Sequence, residues 1–155
     1  MTAMVHHVGM TVRDLERTTD FYRSLGAEVE VTTGGHFRGH HMDRGLGLPN
    51  VDLRTRMLRI GNVVLELLQY QSPPSEPYQL RNASIGAAHI AFTVDDLNSV
   101  YTELSARGVQ FFSPPTSIDD GPYQGGSWVY AKDPDGISVE FIQPGTKPAR
   151  PSEEA

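Results

Sequence analysis

Cysteine is absent from the 155-residue chain. That excludes disulfides and thiolate metal ligands, leaving imidazole and carboxylate oxygen as the main donors for any metal. It also fits a reducing compartment, and the expected location is cytoplasmic. No apolar run approaches the roughly 18 residues of a membrane span, and no signal-peptide pattern opens the chain, so no membrane partner is expected. Basic residues are scarce, 13 Lys and Arg against 19 Asp and Glu, for a formal net charge of −6. A surface of that sign does not attract nucleic acid, and no Lys/Arg cluster interleaved with aromatics reverses it.

What is present is a duplicated unit. HHVGMTVRDL near the start and AHIAFTVDDL later share one pattern, and a shift of 82 places His7 on His89. The same shift matches Thr11 to Thr93, Asp14 to Asp96, Leu15 to Leu97 and Gly26 to Gly108. A second shift, of 74, places VLELLQ (64–69) on SVEFIQ (138–143), with Glu66 on Glu140 and Gln69 on Gln143. The first copy therefore carries the longer insertion between its histidine and its glutamate.

Each copy parses alike. Residues 5–12 alternate, with Val8, Met10 and Val12 on one strand face and His7, Gly9 and Thr11 on the other; Ile90, Phe92 and Val94 oppose His89, Ala91 and Thr93 in the same way. Asp14 and Asp96 are helix N-caps. Leu97, Val100, Tyr101 and Leu104 follow helical spacing, as Leu15, Thr18, Tyr22 and Leu25 do more weakly. Gly26 and Gly108 stand where a helix ends in a left-handed residue. Strands are expected at 27–32, 51–60 and 63–69, the last two joined at Gly61–Asn62, and at 109–112, 126–132 and 137–142, with a DPDG turn at 133–136. The fold class is α+β: two tandem βαβββ modules forming a curved, cleft-bearing mixed sheet. The modules span 1–70 and 86–144, with a linker at 71–85 and a flexible tail at 145–155. Residues 33–50 read as a long Gly- and His-rich excursion.

Alternation carries the chemistry. On the final strands Glu66 opposes Leu65 and Leu67, and Glu140 opposes Val139 and Phe141. If the apolar faces pack on the helices, His7, Glu66, His89 and Glu140 all project to the uncovered side. A His₂Glu₂ set suits one borderline divalent ion: Zn, Ni, Co, Mn or Fe. His6 falls out of phase and pairs with Ala88 under the shift, which puts it outside the site. His36, His40, His41, Arg38 and Arg44 crowd the excursion, where a solvated loop competes with substrate contact.

HHVGMTVRDLERTTDFYRSLG, AAHIAFTVDDL and KDPDGISVEFIQP resemble the signature segments of the vicinal oxygen chelate (VOC) superfamily over about residues 4–144. The family includes glyoxalase I, methylmalonyl-CoA epimerase, extradiol dioxygenases and bleomycin- and fosfomycin-resistance proteins. The resemblance implies the glyoxalase-like fold, a small-molecule substrate, usually a homodimer, and metal ligation by His7, Glu66, His89 and Glu140. LLQYQSP after Glu66 and Gln124 before Gly125–Gly126 depart from the glyoxalase I pattern, whereas NVDLRTRMLRIGNVVLELLQY looks more like the epimerase branch. That branch typically has glutamine at the position of Glu66. The expected reaction is epimerisation through a metal-stabilised enediolate, on a keto-sugar, cyclitol ketone or acyl-CoA, with Glu66 or Glu140 as base. The rivals are a glyoxalase I-like lyase, an Fe(II) extradiol-type dioxygenase and a non-catalytic drug-binding protein. His40, His41, Arg44, Tyr123 and Trp128 are candidate substrate contacts, and Met57, Phe111 and Phe112 candidate wall residues.

Overall fold

The computed structural model describes residues 2–145, the side chains of residues 31–33 excepted. The expected tail thus lies, from residue 146 on, outside the described residues. Two compact units divide between Tyr78 and Gln79, and each holds its own four-stranded mixed sheet.

In the first unit, β1 (Val8–Thr11) leads into α1 (Leu15–Ser24), then β2 (Glu28–Arg38), α2 (His40–Leu46), β3 (Asp52–Ile60) and β4 (Val63–Ser72). The strand order is β1-β4-β3-β2. β1 runs parallel to β4, while β3 pairs antiparallel with both β4 and β2. In the second unit β5 (His89–Thr93), α3 (Leu97–Ala106), β6 (Thr116–Ser117), β7 (Ser127–Lys132) and β8 (Ser138–Gln143) repeat the plan. Their order is β5-β8-β7-β6, again with a parallel first pair. Among the described residues no helix is long and apolar enough to cross a membrane.

The local signals act as their chemistry requires. Asp14 accepts the Arg17 N–H and Asp96 the Ser99 N–H, each at 3.0 Å, closing the first turns of α1 and α3. The helices end at Gly26 (φ 96°) and Gly108 (φ 84°), a backbone region costly to residues with a Cβ. Leu15, Thr18 and Tyr22 are buried on α1, Leu97 and Leu104 on α3. The DPDG segment is a turn: Asp133 Oδ1 accepts the N–H groups of Asp135 and Ile137, both at 2.9 Å.

Two expectations need correction. The excursion at 33–50 is not a loop, because β2 continues to Arg38 and α2 follows it. The Gly34–Gly35 pair sits in a register irregularity of β2, where a Cβ on Gly34 would lie 2.7 Å from the Thr55 carbonyl oxygen. Gly34 serves close strand approach, Gly35 makes room for the Phe37 ring, and neither breaks the strand. α2 has no buried residue, so it leaves no apolar periodicity in the sequence. The strand expected at 109–112 shrinks to one bridge between Phe111 and Ala131. Pro114 and Pro115 follow at once, and proline has no N–H to extend a ladder.

A repeated glutamine fixes the helices to one sheet face. Gln69 Oε1 accepts the Leu15 N–H at 3.3 Å, and Gln143 Oε1 accepts the Leu97 N–H at 2.8 Å. Strand alternation puts Gln69 with the fully buried Leu65 and Leu67, and Gln143 with Val139 and Phe141. Glu66 and Glu140 therefore occupy the opposite face, the one their helices leave uncovered.

Candidate functional site

Each unit contributes one His–Glu pair, and the two are alike to a tenth of an ångström. His7 Nε2 lies 3.1 Å from Glu66 Oε2, and His89 Nε2 lies 3.1 Å from Glu140 Oε2. The strands impose this: Gly9 pairs with Glu66 across β1–β4, and Ala91 with Glu140 across β5–β8. Both neighbours are small, and a Cβ on Gly9 would come to 3.9 Å from Glu66 Oε2. The glutamate side chains are 20% and 15% exposed. Among the described residues neither forms an ion pair with Lys or Arg; an imidazole stands beside each half-buried anion, and the Tyr130 phenol also stands beside Glu140.

The donors suit a divalent metal. Bonds of about 2.1 Å at angles between octahedral and tetrahedral put a nitrogen and an oxygen ligand roughly 3.0–3.4 Å apart, and both pairs stand in that range. Within the described residues no group of three or more His, Asp or Glu gathers in one place. The structure places the four expected residues as two pairs, one in each unit.

The surroundings of the pairs differ. Opposite Glu66 in the ladder is Met57, with Glu30 next to it on β2. Glu30 is held by Arg59 at 2.5 Å. A cleft of about 500 Å³ opens beside His7, with His6, Glu30, Met57, Arg59 and Asn62 in its wall. Opposite Glu140 stands Tyr130, whose hydroxyl is 3.2 Å from His89 Nε2. Loss of solvent and the Glu140 carboxylate beside it push the Tyr130 phenol above its ordinary pKa, so it remains a protonated donor at neutral pH. Trp128 shares that face and meets Tyr130 edge-on with centroids 5.5 Å apart.

Of the other expected residues, His40, His41 and Arg44 lie exposed on α2, and none lines the cleft beside His7. Tyr123 is 60% exposed in the loop before β7. Phe111 packs on Tyr101 and Phe141, and Phe112 is exposed beside Tyr130. His36 and Arg38 both bind Asp52, at 2.6 and 2.8 Å. Two residues at the pairs escaped the sequence reading. Tyr130 becomes visible only with strand register, and His6 was set aside by phase, yet its Nδ1 is 2.8 Å from His7 Nδ1.

The chain is 37% identical over 142 residues to a 2-epi-5-epi-valiolone epimerase from Actinomyces sp, covering 89% of this chain and 78% of that protein. It is 26% identical over 143 residues to human mitochondrial methylmalonyl-CoA epimerase, covering 90% and 73%. Its fold matches the crystal structure of a glyoxalase family protein from Bacillus cereus with a TM-score of 0.75 at 19% identity, over 94% of this chain and 96% of that one. The family model of the Glyoxalase/Bleomycin resistance protein/Dioxygenase superfamily matches residues 4–141, and the chain belongs to that superfamily, on its epimerase-like branch.

Proposed function

We propose that this protein is a divalent-metal-dependent epimerase that inverts a carbon α to a carbonyl in a small polyhydroxylated ketone of the keto-sugar or cyclitol type. The observation that carries the metal is the pair of matched His–Glu contacts, each at 3.1 Å and without a cationic neighbour. The similarity to a valiolone epimerase supports the substrate class. His7, Glu66, His89 and Glu140 would serve as ligands to a divalent ion (Zn, Ni, Co, Mn or Fe), which would supply a Lewis acid that acidifies the C–H beside a carbonyl.

The chain's own residues then move the proton. Glu66 or Glu140 takes the α-proton onto a carboxylate oxygen, and a solvent-derived proton returns to the opposite face of the same carbon. The Tyr130 hydroxyl donates a hydrogen bond to oxygen where negative charge develops, and Trp128 beside it excludes water. The similarity of the family also favours a homodimer.

The test combines metal analysis with isotope exchange. Purified protein should contain a divalent metal, and in D₂O it should wash deuterium into the α-position of a keto-cyclitol or keto-sugar. Chelation should stop the exchange and added Co, Mn, Ni or Zn restore it. Absence of exchange across ketones and acyl-CoAs would sink the epimerase reading. Oxygen uptake with catechols, or turnover of a hemithioacetal, would replace it with the dioxygenase or the lyase.

A further inference from the structure

We infer that His6, which no ligand set includes, is a positioning residue that orients His7 and sets its tautomer; the inference rests on the reading of His7 as a metal ligand. The Nδ1 atoms of the two rings are 2.8 Å apart. The rings meet edge-on, with centroids 5.1 Å apart at 86°, and both border the same cleft. A neutral imidazole carries one proton on two nitrogens, so a bond between two Nδ1 atoms requires opposite tautomers.

The direction of that bond follows from the other end of His7. With no metal, His7 Nε2–H donates to Glu66 Oε2 at 3.1 Å. Its Nδ1 is then the acceptor, and His6 is the Nδ1–H donor. When Nε2 becomes a ligand, His7 must carry its proton on Nδ1 and donate it to His6. The protons balance: the His7 Nε2 proton leaves to solvent, the exposed His6 ring gains one at Nε2, and the shared proton changes rings. Both rings stay neutral, and the bond between them survives with reversed polarity.

The second unit supplies the contrast. Ala88 stands where the repeat would put His6. Among the described residues no side chain bonds the Nδ1 of His89, whose contacts to Glu140 and Tyr130 are both through Nε2. The orienting imidazole belongs to one half and is not a by-product of duplication. Partners of this kind fix a ligand's ring and its basicity, and their loss typically weakens metal binding about 10- to 100-fold.

Zinc affinity of the full chain, measured by competition with a chromophoric chelator, tests this on wild type, His6→Asn and His6→Leu. Asparagine Oδ1 sits at the same branch point as histidine Nδ1 and can accept the His7 proton, whereas leucine fills similar space without an acceptor. The expected result is a loss of about tenfold or more in His6→Leu and near wild-type affinity in His6→Asn. In ¹⁵N spectra of the wild type, zinc should move His6 from its Nδ1–H to its Nε2–H tautomer. Equal affinity in all three proteins, equal loss in both variants, or a His6 tautomer unmoved by saturating zinc would each overturn the inference. A wild type that binds neither zinc nor cobalt would instead overturn the metal reading itself, and this inference with it.

Discussion

Replacing Gln143 with leucine separates the part of the second unit that holds the helix from the part that carries the His89–Glu140 pair. Gln143 Oε1 accepts the N–H of Leu97 at 2.8 Å, and Leu97 is fully buried. Leucine keeps the side-chain volume but strands that N–H away from water. An orphaned buried donor costs about 1–3 kcal/mol. For a chain of this size each kcal/mol moves Tm by about 2–4 °C, so Gln143→Leu should melt roughly 2–12 °C below wild type. Gln143→Glu retains an acceptor and adds negative charge at a helix N-terminus, a favourable place for it, so it should melt close to wild type. Urea titrations alongside thermal scans by circular dichroism give both numbers. Metal affinity should not change, because alternation on β8 puts Gln143 on the helix face and Glu140 on the other. A Gln143→Leu protein within about 0.5 kcal/mol of wild type, well under that penalty, would refute the reasoning, as would equal damage from Gln143→Glu.

Leu67, fully buried on β4, should cost about 2–5 kcal/mol when cut to alanine, read as a drop in the urea midpoint. Gly126→Ala should destabilise the end of β7, since the new Cβ would stand 2.5 Å from the Gln143 carbonyl oxygen and backbone must shift to admit it; differential scanning calorimetry measures the loss. The Asp52 carboxyl is held below its ordinary pKa by its hydrogen bond from His36 and then by Arg38. A depressed carboxylate stabilises the fold above its unfolded pKa and loses that contribution as pH falls through the lowered value. The gap between wild type and Asp52→Asn in urea titrations should therefore be widest above about pH 4 and close at lower pH. Glu66→Gln and Glu140→Gln should each weaken zinc binding, because an amide oxygen is a poorer ligand than a carboxylate; retention of full affinity in both would remove the glutamates from the metal site.

The duplication, the helix caps at Asp14 and Asp96 and the parity of Glu66 and Glu140 were all legible in the sequence, because each rests on local geometry. A cap is decided within three residues, and a strand's side chains alternate whatever the strand pairs with. The same locality explains why His7 and His89 were found with their glutamates. What the sequence concealed depends on partners distant along the chain. Residues 33–50 read as an excursion, yet β2 continues to Arg38 by pairing with β3, and α2 buries nothing and so writes no period. Tyr130 meets His89 only through the β7–β8 register, which no local rule supplies. His6 was missed for another reason: its partner is the next residue, but it precedes β1, and its ring rotation, which strand phase does not fix, brings Nδ1 to His7. The sequence by itself determined which residues could be ligands. Only the tertiary structure decided which groups stand beside them, because side-chain reach and strand register are set by packing and not by order along the chain.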